Sequence, residues 1–229
     1  MPWRFVRRLL PALLLLPAVA AAQSRTPGFQ LQADGLLYSP HGTVSAAGDA
    51  KLSSLLSSGP GFALTGTLGL TRHWVVGARV AYYSSDKDGS FRFVDQLNTN
   101  GQPFADGAGP FGLNRRLRAT AVHGLLQYRR GVGPRVELVL EAGGGVVSAR
   151  ERLVLTSATG EKASAVGVQL DPSWAAGAGI AVTAGWNADV VAGWRWTGSL
   201  SGDGALWTQG DSPGYMNWTL GVRYPHDTH

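Results

Sequence analysis

The chain has no cysteine among its 229 residues, and only 15% of them are charged. Missing thiols exclude a disulfide scaffold, thiol catalysis and cysteine-ligated zinc or iron–sulfur centres. The charged fraction falls well below the roughly 25% of ordinary soluble domains, so an ordinary water-facing surface is a poor expectation. Long apolar runs are lacking too. Beyond the amino terminus nothing approaches the about 18 residues that a membrane helix needs. The 8 Trp and 6 Tyr argue against a disordered chain. What is abundant is glycine, with 32 residues, about twice its usual share.

Met1 to Ala22 reads as a secretory signal peptide. Arg4, Arg7 and Arg8 form a positive start, Leu9 to Val19 an apolar stretch broken by Pro11 and Pro17, and Ala20-Ala21-Ala22 a small-residue cleavage site before Gln23. No cysteine follows to accept a lipid. Removing the leader takes away three arginines and no acid, so 17 basic residues face 15 acidic ones and the formal charge drops from +5 to +2. That is no nucleic-acid footprint.

From Gln23 onward the chain alternates residue by residue, the period of a strand with two unlike faces. In the last candidate strand Trp218, Leu220, Val222 and Tyr224 oppose Asn217, Thr219, Gly221 and Arg223. The same reading applies to Phe62–Leu70, Trp74–Tyr83, Val136–Val146, Trp174–Thr183 and Asp189–Trp196. It is less clean in Phe29–Tyr38, and in Arg118–Tyr128, where Leu125 interrupts the polar face. Eight strands result. Their small or polar face carries Asp34, Arg79, Glu137, Glu141, Asp189, Arg195 and Arg223, read as an ion-pair network filling a narrow lumen. Their large apolar face carries Trp74, Tyr82, Tyr128, Trp194, Trp196, Trp218 and Tyr224, read as aromatic belts at two membrane interfaces.

Connections alternate in length. Ser39–Pro60, Ser84–Leu117, Val147–Asp171 and Gly198–Tyr215 are long; Thr71–His73, Arg129–Pro134 and Ala184–Asn187 are short. The sequence therefore predicts an all-β, eight-stranded, antiparallel, up-and-down transmembrane barrel over residues 23–224. It has four long outer loops, three short periplasmic turns and a tail at 225–229. Only a closed sheet pairs every backbone group in lipid. The soluble alternative, a periplasmic carrier of lipocalin type, requires the apolar face to point inward.

On this pattern, and on the closing Trp218-Thr219-Leu220-Gly221-Val222-Arg223-Tyr224, the chain resembles the small eight-stranded outer-membrane barrels of the OmpA transmembrane-domain and OmpX-like group. The resemblance implies an outer-membrane location, with membrane lipid and the barrel-assembly machinery as partners. It also implies a non-enzymatic role in surface interaction or envelope integrity, with no cofactor or metal and an unknown partner at the outer loops. It departs at Pro225–His229, since such chains commonly stop at the aromatic residue.

Chemistry-bearing residues are few. The architecture also hosts lipid A-modifying enzymes, and a nucleophilic site needs His beside Ser. Only His123 lies on a strand; Ala121 and Leu125 flank it on its own face, so it reads as a structural His near Glu137 or Glu141. A narrow ion path through the lumen is a further alternative. Asp86-Lys87-Asp88-Gly89-Ser90, with Asp95 beyond, echoes half a calcium loop, but Ser84 would take the position that requires Asp, and helices are missing. Asp88-Gly89 then reads as a hairpin turn. Gly143-Gly144-Gly145 lacks the Lys of a phosphate loop and reads as relief of crowding. Within the third connection Leu153–Thr156 and Ala165–Leu170 predict a protruding hairpin whose edge could pair with another strand. Phe91, Phe93, Phe104 and Phe111 of the second read as self-packing anchors.

Overall fold

The computed structural model describes residues 28–41, 43–44, 50–51, 57–91, 111–185, 187–200 and 214–225. The leader at 1–22 and tail residues 226–229 lie outside these. Every regular element described is a strand. Eight of them close a barrel: β1 (Phe29–His41), β2 (Gly59–Gly69), β3 (Trp74–Phe91), β4 (Phe111–Gly131), β5 (Val136–Thr156), β6 (Lys162–Gly185), β7 (Ala188–Ser199) and β8 (Gly214–Tyr224). Each pairs antiparallel with its chain neighbours, and β1 closes on β8. A two-residue ladder, Thr43–Val44 with Ala50–Lys51, lies in the first long connection.

Strand register sets the shape. Tracing ladder partners once round the wall from Arg129 passes Val139, Gly179, Gly193, Thr219, Leu36, Gly61 and Tyr83. It ends at Ala119, ten residues back toward the start of β4. An offset of that size across eight strands corresponds to a tilt of about 35–45°. Three short turns gather at one end and the other four connections, of which 157–161 is itself a tight turn, at the other.

The apolar face points outward. Leu64 is 51% exposed and Trp218 53%, whereas Arg79 retains 4%. An outer wall of this composition is stable against lipid tails and costly against water. It rules out the carrier reading, which needed the reverse.

Strands are longer than the alternation suggested. β3 continues to Phe91 and β4 starts at Phe111, so Asp88 and Gly89 are not a hairpin turn; they pair with Asn114 and Leu113 inside a ladder. β5 and β6 run to Thr156 and from Lys162 as one long hairpin. Outward charges on β3 and β4 mark where the wall leaves the membrane, and in the sequence they looked like loop.

Candidate functional site

Outward rings fall into two groups. At the end with the short turns Trp74 and Tyr128 are ladder partners with ring centroids 5.3 Å apart, and Tyr224 faces out nearby. Toward the other end come Tyr82 with its partner Phe62 at 5.5 Å, then Trp174, Trp196 and Trp218. The rings of Trp174 and Trp196 lie over Gly198 and Gly214, where a Cβ would meet them at 2.6 and 2.8 Å. Trp194 sits one outward position below Trp196, toward the middle of the wall.

Inside, polar side chains stack in layers. At the periplasmic mouth Arg223 donates to Asp189 Oδ2 at 2.6 Å and to Glu137 Oε2 at 2.5 Å. Arg129, an inward residue that the sequence reading left in a turn, donates to Gln127 at 2.7 Å and to Thr67 at 3.2 Å, and also bonds Gln30. Below this layer opens a vestibule of about 670 Å³ lined by Arg72, Arg130 and Arg135 among others. Mid-barrel, Arg79 Nη1 donates to Asp34 Oδ2 at 2.9 Å, and Arg195 Nε to Glu141 Oε1 at 2.6 Å.

His123 does not bond Glu137 or Glu141. Its Nε2 lies 2.9 Å from Ser173 Oγ on β6, two strands away, a proximity that only register and curvature create. His123 and Ser173 are 2% and 1% exposed. Toward the outside lies a tyrosine cluster, Tyr38, Tyr83 and Tyr215, with centroids 5.0–5.8 Å apart. Leu117, Val147 and Ala149 continue this packing, then come the Arg115–Glu151 ion pair and Phe111, Leu113 and Leu155. The lumen is therefore not charged throughout. Its outer half is an apolar and aromatic core, because a closed sheet with buried walls must be filled like any protein interior. Phe111 belongs to that core; of Phe91, Phe93 and Phe104 no side chain is described.

Above the outer rings β3–β6 continue as a four-stranded sheet. β7 pairs with β6 only up to Ser173, with Leu200 N donating to Pro172 O at 2.9 Å. Over residues 163–168, β6 is held by β5 alone among the described residues, and its other edge has no ladder partner there. Val166, Val168 and, just below, Leu170 face outward with 61, 65 and 65% exposure.

On the same outer sheet Arg118 Nη1 donates to Asp86 Oδ1 at 2.7 Å. This bond, more than the charge alone, holds the Asp86 carboxyl below the usual carboxylate range. A folded-state value below the unfolded one means the contact stabilises above the ordinary carboxylate pKa and is lost as pH falls through the lowered one. A carboxyl-carbon NMR titration of Arg118→Gln is expected to move the Asp86 midpoint upward; an unmoved midpoint refutes the assignment.

No family model matches the chain, and no curated protein matches it in sequence. Among solved structures it is similar to Neisserial surface protein A, at 12% identity and TM-score 0.50, covering 86% of this chain and 96% of that one. A major outer membrane protein of Thermus thermophilus follows at 12% identity, 86% and 99% coverage and TM-score 0.49. The outer membrane protease OmpT of Escherichia coli gives 12%, 90% and 99%, and 0.46. A closed, antiparallel, up-and-down wall of eight strands, apolar outside and ringed by aromatics, gives this chain the fold of the small outer-membrane β-barrels.

Proposed function

We propose that the protein is a non-enzymatic outer-membrane barrel whose work is done by the sheet standing above the membrane, as a surface-interaction module. The observation that carries this reading is the edge of β6 over residues 163–168. It combines backbone groups that no neighbouring described strand covers with an outward apolar column, Val166, Val168 and Leu170. Backbone donors and acceptors at such an edge give a partner's extended segment its hydrogen bonds, and alternate apolar side chains give it contact area. The lumen supports the same reading. Ion-paired layers, tyrosines and an apolar core fill it, which favours a rigid plug over a conducting path.

The test is attachment to partner cells or surfaces by bacteria displaying the chain. Val166→Lys with Val168→Lys is expected to reduce attachment at least about tenfold, since edge charges block strand addition. Equal attachment by parent and variant overturns the proposal.

One contact favours a second reading, a lipid A-modifying enzyme: the His123–Ser173 pair at 2.9 Å. Both groups are buried between the mid-barrel ion pairs and the tyrosines, so a substrate acyl chain has no approach to the Ser173 hydroxyl. Ser173→Ala and His123→Gln are expected to leave the lipid A mass spectrum of expressing cells unchanged. A parent-dependent lipid change that either variant abolishes would establish the enzyme instead.

A further inference from the structure

Four arginines form a two-by-two block on the outward face of the sheet above the membrane. Arg118 on β4 stands directly opposite Arg150 on β5, and Arg116 directly opposite Arg152. Opposed side chains in an antiparallel pair have Cβ atoms about 4.5–5.5 Å apart, and like charges so placed repel. Asp86 on β3, the ladder partner of Arg116, sets one carboxylate beside these four guanidinium groups. Arg118 is bound by Asp86, its partners at 2.7 and 3.2 Å. Arg116, Arg150 and Arg152 are exposed, and among the described residues none makes an ion pair. On the far side the next column is apolar, with Val168 opposite Arg150 and Val166 opposite Arg152.

The height of the block points to what supplies the missing negative charge. Thr120 is the ladder partner of the outer-ring residue Tyr82, and Arg118 and Arg116 are the next two outward positions on β4. At about 3.3 Å per residue and about 4.8 Å between strands on a wall tilted near 40°, each step from β3 to β5 also raises the ladder by about 3 Å, so the block stands roughly 8–16 Å above that ring. It faces sideways, on the same side as the lipid-facing residues, and so looks into a headgroup layer, away from the open medium.

We propose that Arg116, Arg118, Arg150 and Arg152 bind the phosphate groups of an anionic glycolipid in the outer leaflet. Guanidinium forks match phosphate oxygens in pairs, so one phosphate can bridge an opposed couple and relieve its repulsion. The inference rests on the outer-membrane placement proposed above and is independent of any partner at the β6 edge.

The experiment uses the full barrel in phosphatidylcholine nanodiscs, titrated with bisphosphorylated lipid A, with its dephosphorylated form and, in solution, with inositol hexakisphosphate. The parent is expected to favour the bisphosphorylated lipid by about tenfold or more, as charge-assisted hydrogen bonds warrant. Arg116→Glu with Arg152→Glu is expected to abolish that preference, Arg116→Lys with Arg152→Lys to keep part of it, and Arg130→Glu at the periplasmic end to keep all of it. Heat-modifiable gel mobility identifies the folded fraction, and binding is compared per folded barrel. The proposal is overturned if the parent ignores the phosphates, if the Glu pair binds like the parent, or if Arg130→Glu loses as much. Binding of inositol hexakisphosphate with none of the glycolipid replaces the lipid by a soluble polyanion. Cells carrying the Glu pair that still attach normally, having lost the glycolipid preference, confirm the site as separate from the β6 edge.

Discussion

Arg79→Ala is expected to lower the stability of the folded barrel by about 3–5 kcal/mol, because it strands a carboxylate where water cannot reach. Asp34 is the group left behind. Its side chain is fully shielded, Arg79 Nη1 sits 2.9 Å from one oxygen, and Gln32 donates to the other at 2.7 Å. Gln32 cannot neutralise the charge, so the variant must protonate Asp34, admit water or unfold. The double change Asp34→Leu with Arg79→Met removes both charges at similar volume and is expected to recover to within about 2 kcal/mol of the parent. Urea unfolding of lipid-embedded protein measures both. A double variant as unstable as the single would show that the pair is packing volume, with its charge immaterial.

This pair also marks how far sequence reasoning reached. Alternation placed Asp34 and Arg79 on inward faces of different strands, and a narrow lumen requires opposite charges to meet. Phase was legible because every other side chain must choose lipid or lumen. Extent was not. Asp86, Asp88 and Arg116 keep the two-residue period but put charge outward, which lipid forbids and water above the membrane allows, so the pattern looked like loop. Inward Leu125 seemed to break a polar face, and Leu117 and Phe111 fell in what read as a long connection, although a closed wall needs them, with Tyr38, as filling. The His123–Ser173 contact was invisible for a different reason. It joins β4 to β6 across β5, and its existence depends on the strand offset that only the complete ladder sets. The edge of β6 was foreshadowed by the turn-rich Ala158–Lys162 between two strand-like runs; the arginine block was not, because two residues opposed across a hairpin are far apart in sequence.

The three consecutive glycines of β5 give a second large effect and separate two explanations of why they are there. If glycine served only to let the strand bend, all three positions would respond alike to a side chain. The surroundings differ sharply. A Cβ on inward-facing Gly145 would lie 1.9 Å from the Val122 carbonyl oxygen and 2.8 Å from His123 Cα, and one on Gly143 would lie 2.1 Å from the Gly124 oxygen. Those are backbone atoms of β4 and cannot turn aside. On outward-facing Gly144 the nearest atom, the Ser173 oxygen, is at 3.6 Å, an ordinary contact. Gly145→Ala is therefore expected to force β4 and β5 apart at a cost of about 3 kcal/mol or more, the upper range of overpacking, with the folded fraction collapsing on heat-modifiable gels. Gly144→Ala is expected to fold like the parent. Equal behaviour of the two would mean that close approach of the neighbouring strand is not what holds glycine there, and that curvature alone explains the run.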